Sequence, residues 1–269
     1  MSAHVGDETL AAGGVRVAWT GPEGEPVVTV TMDRPERRNA QTPATWRAFR
    51  AIGGALPTGT RVVVLRGEGP VFSAGIDLRT FTPEGVDGEQ VLTAISSLDD
   101  TAAADLVAEF QAGFTWWHDL DDVITVAVVQ GAAVGAAFQL ALACDLRVCS
   151  TDARFAMRET SLGLVPDLTG THALVELVGY HRALDICATG RWVGAEEAAA
   201  LGIATTVVAP EALDTAARDV VASLLSAPES AVRATKSVLR HAVGATAEEQ
   251  RRFERETQIG LIRAVVSGA

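Results

Sequence analysis

Four short runs dense in β-branched and apolar residues recur along the chain between stretches of helical spacing: VRVAWT (15–20), VVTVTM (27–32), RVVVLR (61–66) and VITVAVV (123–129). Runs of this length and composition are strands, and strands that alternate with helices imply βαβ units and a layered α/β core. The turn-like GPEGEP (21–26) makes the first two runs a β-hairpin. A charged loop, DRPERRNAQTP (33–43), follows, and Thr42-Pro43 starts a helix that runs to about Ala55. Residues 88–121 have helical spacing, 135–143 form a helix and DLRVC (145–149) a strand, while short extended and helical pieces alternate from 154 to 209. Beyond that point the pattern is helical throughout, over 210–226, 229–243 and 246–266. The expected division is a flexible polar tail at 1–14, an α/β core at 15–209 and a helical region at 210–269.

Composition limits what such a core does. With 269 residues and 48% hydrophobic content, the chain buries one large core with at most a small appended lobe. No apolar run is long enough to span a bilayer, and the N-terminus lacks the basic-then-apolar layout of a secretory signal. Cys144, Cys149 and Cys187 are odd in number, scattered and set among apolar residues, which points to reduced thiols in a cytoplasmic protein. A net charge of −12 argues against a general nucleic-acid binder, since such proteins gain affinity by neutralising phosphates. Lys236 is the only lysine; every other basic residue is arginine.

Three segments carry candidate chemistry. In VFSAGIDL (71–78) the chain leaves a strand through small residues and offers the N–H of Ile76. In QGAAVGAAFQLALACD (130–145) a strand ends at Gln130, small residues follow, and a helix begins near Gly135 with its first N–H groups free. If the fold brings these two turns together, a pair of donors converges on one oxygen; otherwise the glycines and alanines only permit close helix–strand contact. The third segment, FAMRETSLGLVPDLTGT (155–171), supplies Glu159 and Asp167 among apolar neighbours. Burial would raise either carboxyl toward the working range of a general base, although Asp167 equally suits a helix cap. Other readings fail. GEGPVF (67–72) has Phe72 in place of a third glycine, no nucleophile elbow surrounds Ser73, no phosphate loop ends in Gly-Lys-Ser/Thr, and the five histidines lack metal-ligand spacing.

Taken together, FSAGIDL, GAAVGAAFQLALACDLRV and ETSLGLVPDLTGT, in that order and spacing, resemble the crotonase or enoyl-CoA hydratase/isomerase superfamily, over nearly the whole chain from VTMDRPERRNAQT (29–42) to ATKSVLR (234–240). The resemblance implies a ββα-spiral core at 15–209 that binds an acyl-CoA thioester, and a C-terminal helical region used in assembly as a homotrimer or dimer of trimers. It implies no separate cofactor, coenzyme A being carried as part of the substrate; the superfamily also contains an RNA binder, but the acidic balance disfavours nucleic acid, and the histidine spacing and the lack of a spanning run weigh against a metal and a membrane. By position, the thioester oxygen meets the N–H of Ile76 and of Ala136. Coenzyme A contacts fall to Arg34, Arg37, Arg38, Ala40, Ala74, Asp77, Leu78 and Lys236, with the cations on the phosphates; a solvated charge run is the alternative.

Departures from the family pattern bear on the reaction. Its two-carboxylate hydratases carry glutamate where this chain has Gln139, and a second where it has Glu159. An amide holds a water but cannot take its proton. Its enoyl-CoA isomerases shuttle a proton with one glutamate at the Glu159 position, and its dienoyl-CoA isomerases carry a second acid where Asp167 stands. An aromatic acyl-CoA dehalogenase holds a nucleophilic aspartate there. The catalytic candidates are therefore Glu159, Asp167 and Gln139, and the expected reaction is double-bond isomerisation of an enoyl- or dienoyl-CoA. Hydration, as in fatty-acid degradation, and a non-catalytic CoA-binding role are the alternatives. The ending GLIRAVVSGA lacks the aromatic and basic residues common in relatives. Residues 79–120, with Phe81, Phe110, Phe114, Trp116 and Trp117, are the expected pocket wall.

Overall fold

The computed structural model describes residues 5–19 and 27–267. Its elements in chain order are α1 (Asp7–Gly13), β1 (Val15–Trp19), β2 (Val27–Met32), α2 (Pro43–Gly54), β3 (Val62–Gly67), α3 (Val91–Ser96), α4 (Asp100–Asp119), β4 (Ile124–Val129), β5 (Ala132–Val134), α5 (Ala136–Ala143), β6 (Leu146–Ser150) and β7 (Arg154–Ala156). There follow α6 (Gly170–Val178), α7 (Tyr180–Thr189), β8 (Val193–Gly194), α8 (Ala195–Ala200), β9 (Thr206–Val208), α9 (Leu213–Ser226), α10 (Glu229–Ala242) and α11 (Ala247–Ser267).

The apolar runs assemble one sheet in the order β1-β2-β3-β4-β6-β9, parallel except for the antiparallel hairpin strand β1 at its edge. The turn expected at 21–26 lies outside the described residues. Side chains alternate across a strand, so each run feeds both faces of the sheet. Val63 and Leu65 of β3, with Ala127 and Val129 of β4, join the core under α2, α4 and α5. Their neighbours Val62, Val126 and Val128 point the other way, under Leu213 and Ala217 of α9. Covering both faces is what a mostly parallel sheet requires. A second, three-stranded sheet of β5, β7 and β8 stands where β4 ends and sets the start of α5.

Local chemistry explains the helix that frames the site. Thr42 caps α2 in a reciprocal box with Thr45, Pro43 takes the first turn, and Trp46, Phe49 and Ile52 make the buried face. At the far end of α5 the buried Arg147 donates to the carbonyls of Ala141, Cys144 and Ile203, a cation at the negative end of the helix.

Three expectations change. Residues 7–13 of the supposed tail are helical: Asp7 and Glu8 occupy the first turn, Gly14 closes it at φ 60°, and the Gly13 carbonyl accepts from Thr45 Oγ1 at 2.8 Å. The 88–121 stretch is two helices, because the Asp99 carboxylate caps α4 through Ala102 N–H at 2.9 Å and so interrupts the run. Lys236 is also placed differently. It is the only buried residue of α10, and its ammonium donates to Asp145 Oδ2 at 2.8 Å and Val123 O at 2.7 Å, which pins α10 to the start of β4.

Removing one partner of a buried pair strands the other charge. Lys236→Met is therefore expected to cost about 3 kcal/mol in urea unfolding, and adding Asp145→Asn should restore part of that loss. An unchanged midpoint in the single variant would contradict this role.

Candidate active site

The site is built on two strand exits held side by side. After β3, Phe72 N donates to Gln130 O at 2.7 Å and Ser73 N to Ala132 O at 3.0 Å, while Val134 N donates back to Ser73 O at 3.2 Å. Ser73 has a second task. Its hydroxyl donates to Asn39 O at 2.7 Å and accepts from Gly75 N at 3.1 Å and Gln41 Nε2 at 3.2 Å. Gln41 is held in turn by Trp46 Nε1 at 2.9 Å. The Asn39 amide faces the carbonyls of Glu68, Val71 and Phe72, tying the 34–41 loop beneath the same turn. These buried polar groups satisfy one another, and the network rigidifies what it surrounds.

That scaffold orients two amides. Gln41 accepts from Asp77 N and donates to Gly75 O, so the bonds on that side of the strand are spent and the N–H of Ile76 faces the other way. Gly75 (φ 83°) lies so close to Val134 that any side chain would enter that carbonyl, and its Cβ direction points to within 3.5 Å of Ala136 N. Ala136 is the first residue of α5, after Gly135 at φ 53°. Among the described residues, neither the Ile76 nor the Ala136 N–H finds an acceptor in the chain.

Both amides border a cavity of about 380 Å³. Trp46, Leu78, Phe81, Leu92, Ile95 and Phe110 form its apolar walls, and Glu159 and Asp167 are its acids. Of the aromatic residues expected there, Phe81 and Phe110 take part. Phe114 and Trp117 are fully buried in the core, and Trp116 stacks on Trp117 at 4.0 Å.

Glu159 follows β7 and opens a single 3-10 turn. Its Oε1 accepts from Gln139 Nε2 at 2.8 Å, whereas its Oε2 is buried without a partner. Burial pushes its carboxyl above the usual glutamate range, opposed by hydrogen bonds that include Gln139's and reinforced by the Asp167 charge. Burial likewise raises Asp167, whose backbone carbonyl is held by Gln111 at 2.6 Å. Gln139 Oε1 has no lone pair left for a water, since it accepts from Leu168 N at 2.9 Å and Gly170 N at 3.2 Å.

Around the mouth, Ala74 and Leu78 line the cavity, with Leu78 54% exposed. Ala40 O accepts from Arg34, whose guanidinium also lies 3.7 Å from Asp77. The hydrogen bond from Arg79 holds the Asp77 carboxyl below its ordinary range. Arg37 and Arg38 are exposed beside this turn. Lys236 is not with them. It lines a larger groove of about 750 Å³ between α6 and α10, where it is already paired with Asp145. The Ser73, Gln41 and Asn39 network leaves little trace in the sequence beyond the polar residues of RNAQT, set directly before a capped helix.

A carboxyl raised by burial destabilises the native state once it ionises. Below the unfolded-chain value both states are protonated and nothing is lost; as pH rises through the higher folded value, stability falls. Glu159→Gln should therefore raise Tm at pH 7, with the gain fading toward pH 4. A gain that grew on acidification would contradict the assignment.

The sequence profile of the enoyl-CoA hydratase/isomerase family matches residues 23–264. Among curated relatives, a carnitinyl-CoA dehydratase of Salmonella arizonae is 32% identical over 90% of this chain and 87% of its own. A mitochondrial Δ(3,5)-Δ(2,4)-dienoyl-CoA isomerase of Dictyostelium discoideum is 27% identical over 83% of this chain and 76% of its own. A crystal structure from Thermobifida fusca, described as a putative enoyl-CoA hydratase in complex with acetoacetyl-CoA, superposes with a TM-score of 0.89 at 44% identity, covering 95% of this chain and 97% of that one. The chain has the crotonase fold and belongs to the enoyl-CoA hydratase/isomerase family.

Proposed function

We propose that the protein isomerises the double bond of an enoyl-CoA or dienoyl-CoA thioester. The thioester oxygen sits between the Ile76 and Ala136 N–H groups, and the acyl chain runs along Trp46, Phe81 and Phe110. Glu159 Oε2 removes a proton from C2 of a 3-enoyl thioester, the electron pair moves onto the carbonyl oxygen as a dienolate, and the two amides stabilise that charge as it forms. The same carboxyl returns the proton at C4, leaving the 2-enoyl thioester, so no atom is gained or lost. Asp167 assists the second transfer in dienoyl substrates. Arg37 and Arg38, exposed beside the cavity mouth, meet the coenzyme A phosphates.

One observation carries this reading: a buried carboxylate oxygen without a partner, on a carboxyl raised by burial, in the same apolar cavity as two amides without acceptors. A base needs a raised pKa and a free lone pair, and an enolate needs preorganised donors. Hydration is the second reading. Asp167, the other raised acid of the cavity, favours it by offering Glu159 a partner for handling water, and the acetoacetyl-CoA-bound structure described as a hydratase supports it.

Glu159→Gln is expected to lower kcat on a 3-enoyl-CoA about a thousandfold, and Gly75→Ala, which disrupts the turn that carries the Ile76 amide, about a hundredfold. Crotonyl-CoA separates the two reactions, because hydration bleaches the enone absorbance and isomerisation does not. Wild-type turnover in Glu159→Gln would exclude Glu159 as the base.

A further inference from the structure

Gln139 is wholly buried on α5, and its amide bonds in two directions. The nitrogen donates to Glu159 Oε1, and the oxygen accepts from the backbone of Leu168 and Gly170, which flank the strained Thr169 (φ 73°) just after Asp167. A β-branched residue at positive φ is costly and persists only where its surroundings impose it. Gly170 contributes as well: a Cβ there would stand 2.7 Å from Gln139 Cγ, so only glycine lets the turn approach the amide.

A core glutamine satisfied for its own sake would bond to backbone at both ends. This one spends its donor on a carboxylate whose other oxygen has no partner. We infer that Gln139 is a positioning residue: its amide fixes Glu159 by Oε1, leaves Oε2 as the oxygen that meets substrate, and joins that carboxylate to the turn carrying Asp167. The inference rests on the proposed role of Glu159 as proton carrier. It deepens that role by giving one side chain control over the geometry and the proton affinity of the base.

With Glu159 as the single proton carrier, an amide at this position serves it better than a second acid. An N–H donated to a carboxylate favours its charged form and so offsets burial. A glutamate in the same place, as the family's two-carboxylate hydratases carry, would set two carboxylates within hydrogen-bond distance and raise the proton affinity of the pair, an arrangement for handling water rather than for one proton carrier. The other groups facing Glu159 cannot substitute. Asp167, from the turn before α6, raises its proton affinity, and the Cys187 thiol on α7 is itself raised by burial and then by the Glu159 charge. The guanidinium of the adjacent Arg158 lies over the Trp192 ring, 5.4 Å from its centroid. Backbone donors at 158 and 159 help, but Gln139 supplies the one side-chain hydrogen bond among the described residues.

The test compares wild type, Gln139→Leu and Gln139→Glu in the full chain. In each protein the Glu159 titration is followed by isotope-edited infrared spectroscopy, through the carboxylic-acid band that Glu159→Gln removes. The pH profile of kcat/KM on 3-hexenoyl-CoA is measured alongside. The Glu159 midpoint and the acid limb of the profile are expected to rise in the order wild type, Leu, Glu, with kcat in Gln139→Leu down about tenfold or more, the worth of one charge-assisted hydrogen bond. Gln139→Glu keeps acceptors for Leu168 and Gly170, so it remains decisive if Gln139→Leu fails to fold. A Glu159 midpoint identical to wild type in the folded variants overturns the inference even where activity drops. Full turnover in Glu159→Gln would instead defeat the base assignment, and the infrared midpoints would still decide what Gln139 does to Glu159.

Discussion

Three main-chain hydrogen bonds between residues 72–73 and 130–134 are the constraint on which the site depends. They place the end of β3 against the end of β4, two segments some sixty residues apart in sequence, and so decide which amides can meet one ligand atom. The parallel sheet supplies the alignment, because β3 and β4 run in the same direction and finish at the same edge. Such edges are where α/β proteins place ligands. Asn39, Gln41 and Ser73 then lock the β3 exit from below with side chains that bond to one another and to backbone. The adjacent amides of Asp77 and Gly135 are bonded to Gln41 O and Ala156 O, while among the described residues those of Ile76 and Ala136 have no acceptor.

Charge is distributed with a matching economy. The cations inside the fold serve the scaffold: Arg147 caps α5, Lys236 anchors α10, and Arg34 is engaged by Ala40 O and Asp77. No side-chain cation among the described residues pairs with Glu159 or Asp167. Burial, with no cation beside them to offset it, keeps both carboxyls above their ordinary ranges.

Much of this was legible in the residues. β-Branched runs found the strands of the main sheet, and Thr42-Pro43 announced α2, because those signals are local. The order FSAGIDL, GAAVGAAFQ, ETSLGL identified the family, and with it the fold. What escaped was non-local. DETLAAGG reads as a polar tail until α2 supplies a surface for it, although its acid-first, glycine-last order is that of a short helix. Phe114 and Trp117 are indistinguishable in sequence from Phe110, yet they turn into the core beside Phe49 and Trp46 while Phe110 reaches the cavity. Lys236 stood out as the only lysine, and its ion pair with Asp145 depends on how α10 folds back on β4. Gln139 was visible as a departure, but its two-sided amide could be recognised only once the 168–170 turn lay against α5.

The central claim is that two backbone amides jointly polarise one thioester carbonyl. The most direct measurement is the infrared stretch of a 13C-labelled thioester carbonyl in a bound, unreactive acyl-CoA. Two short hydrogen bonds from Ile76 and Ala136 predict a band at clearly lower frequency than the same thioester shows in water. A band at or above the aqueous frequency in the saturated complex would contradict the account.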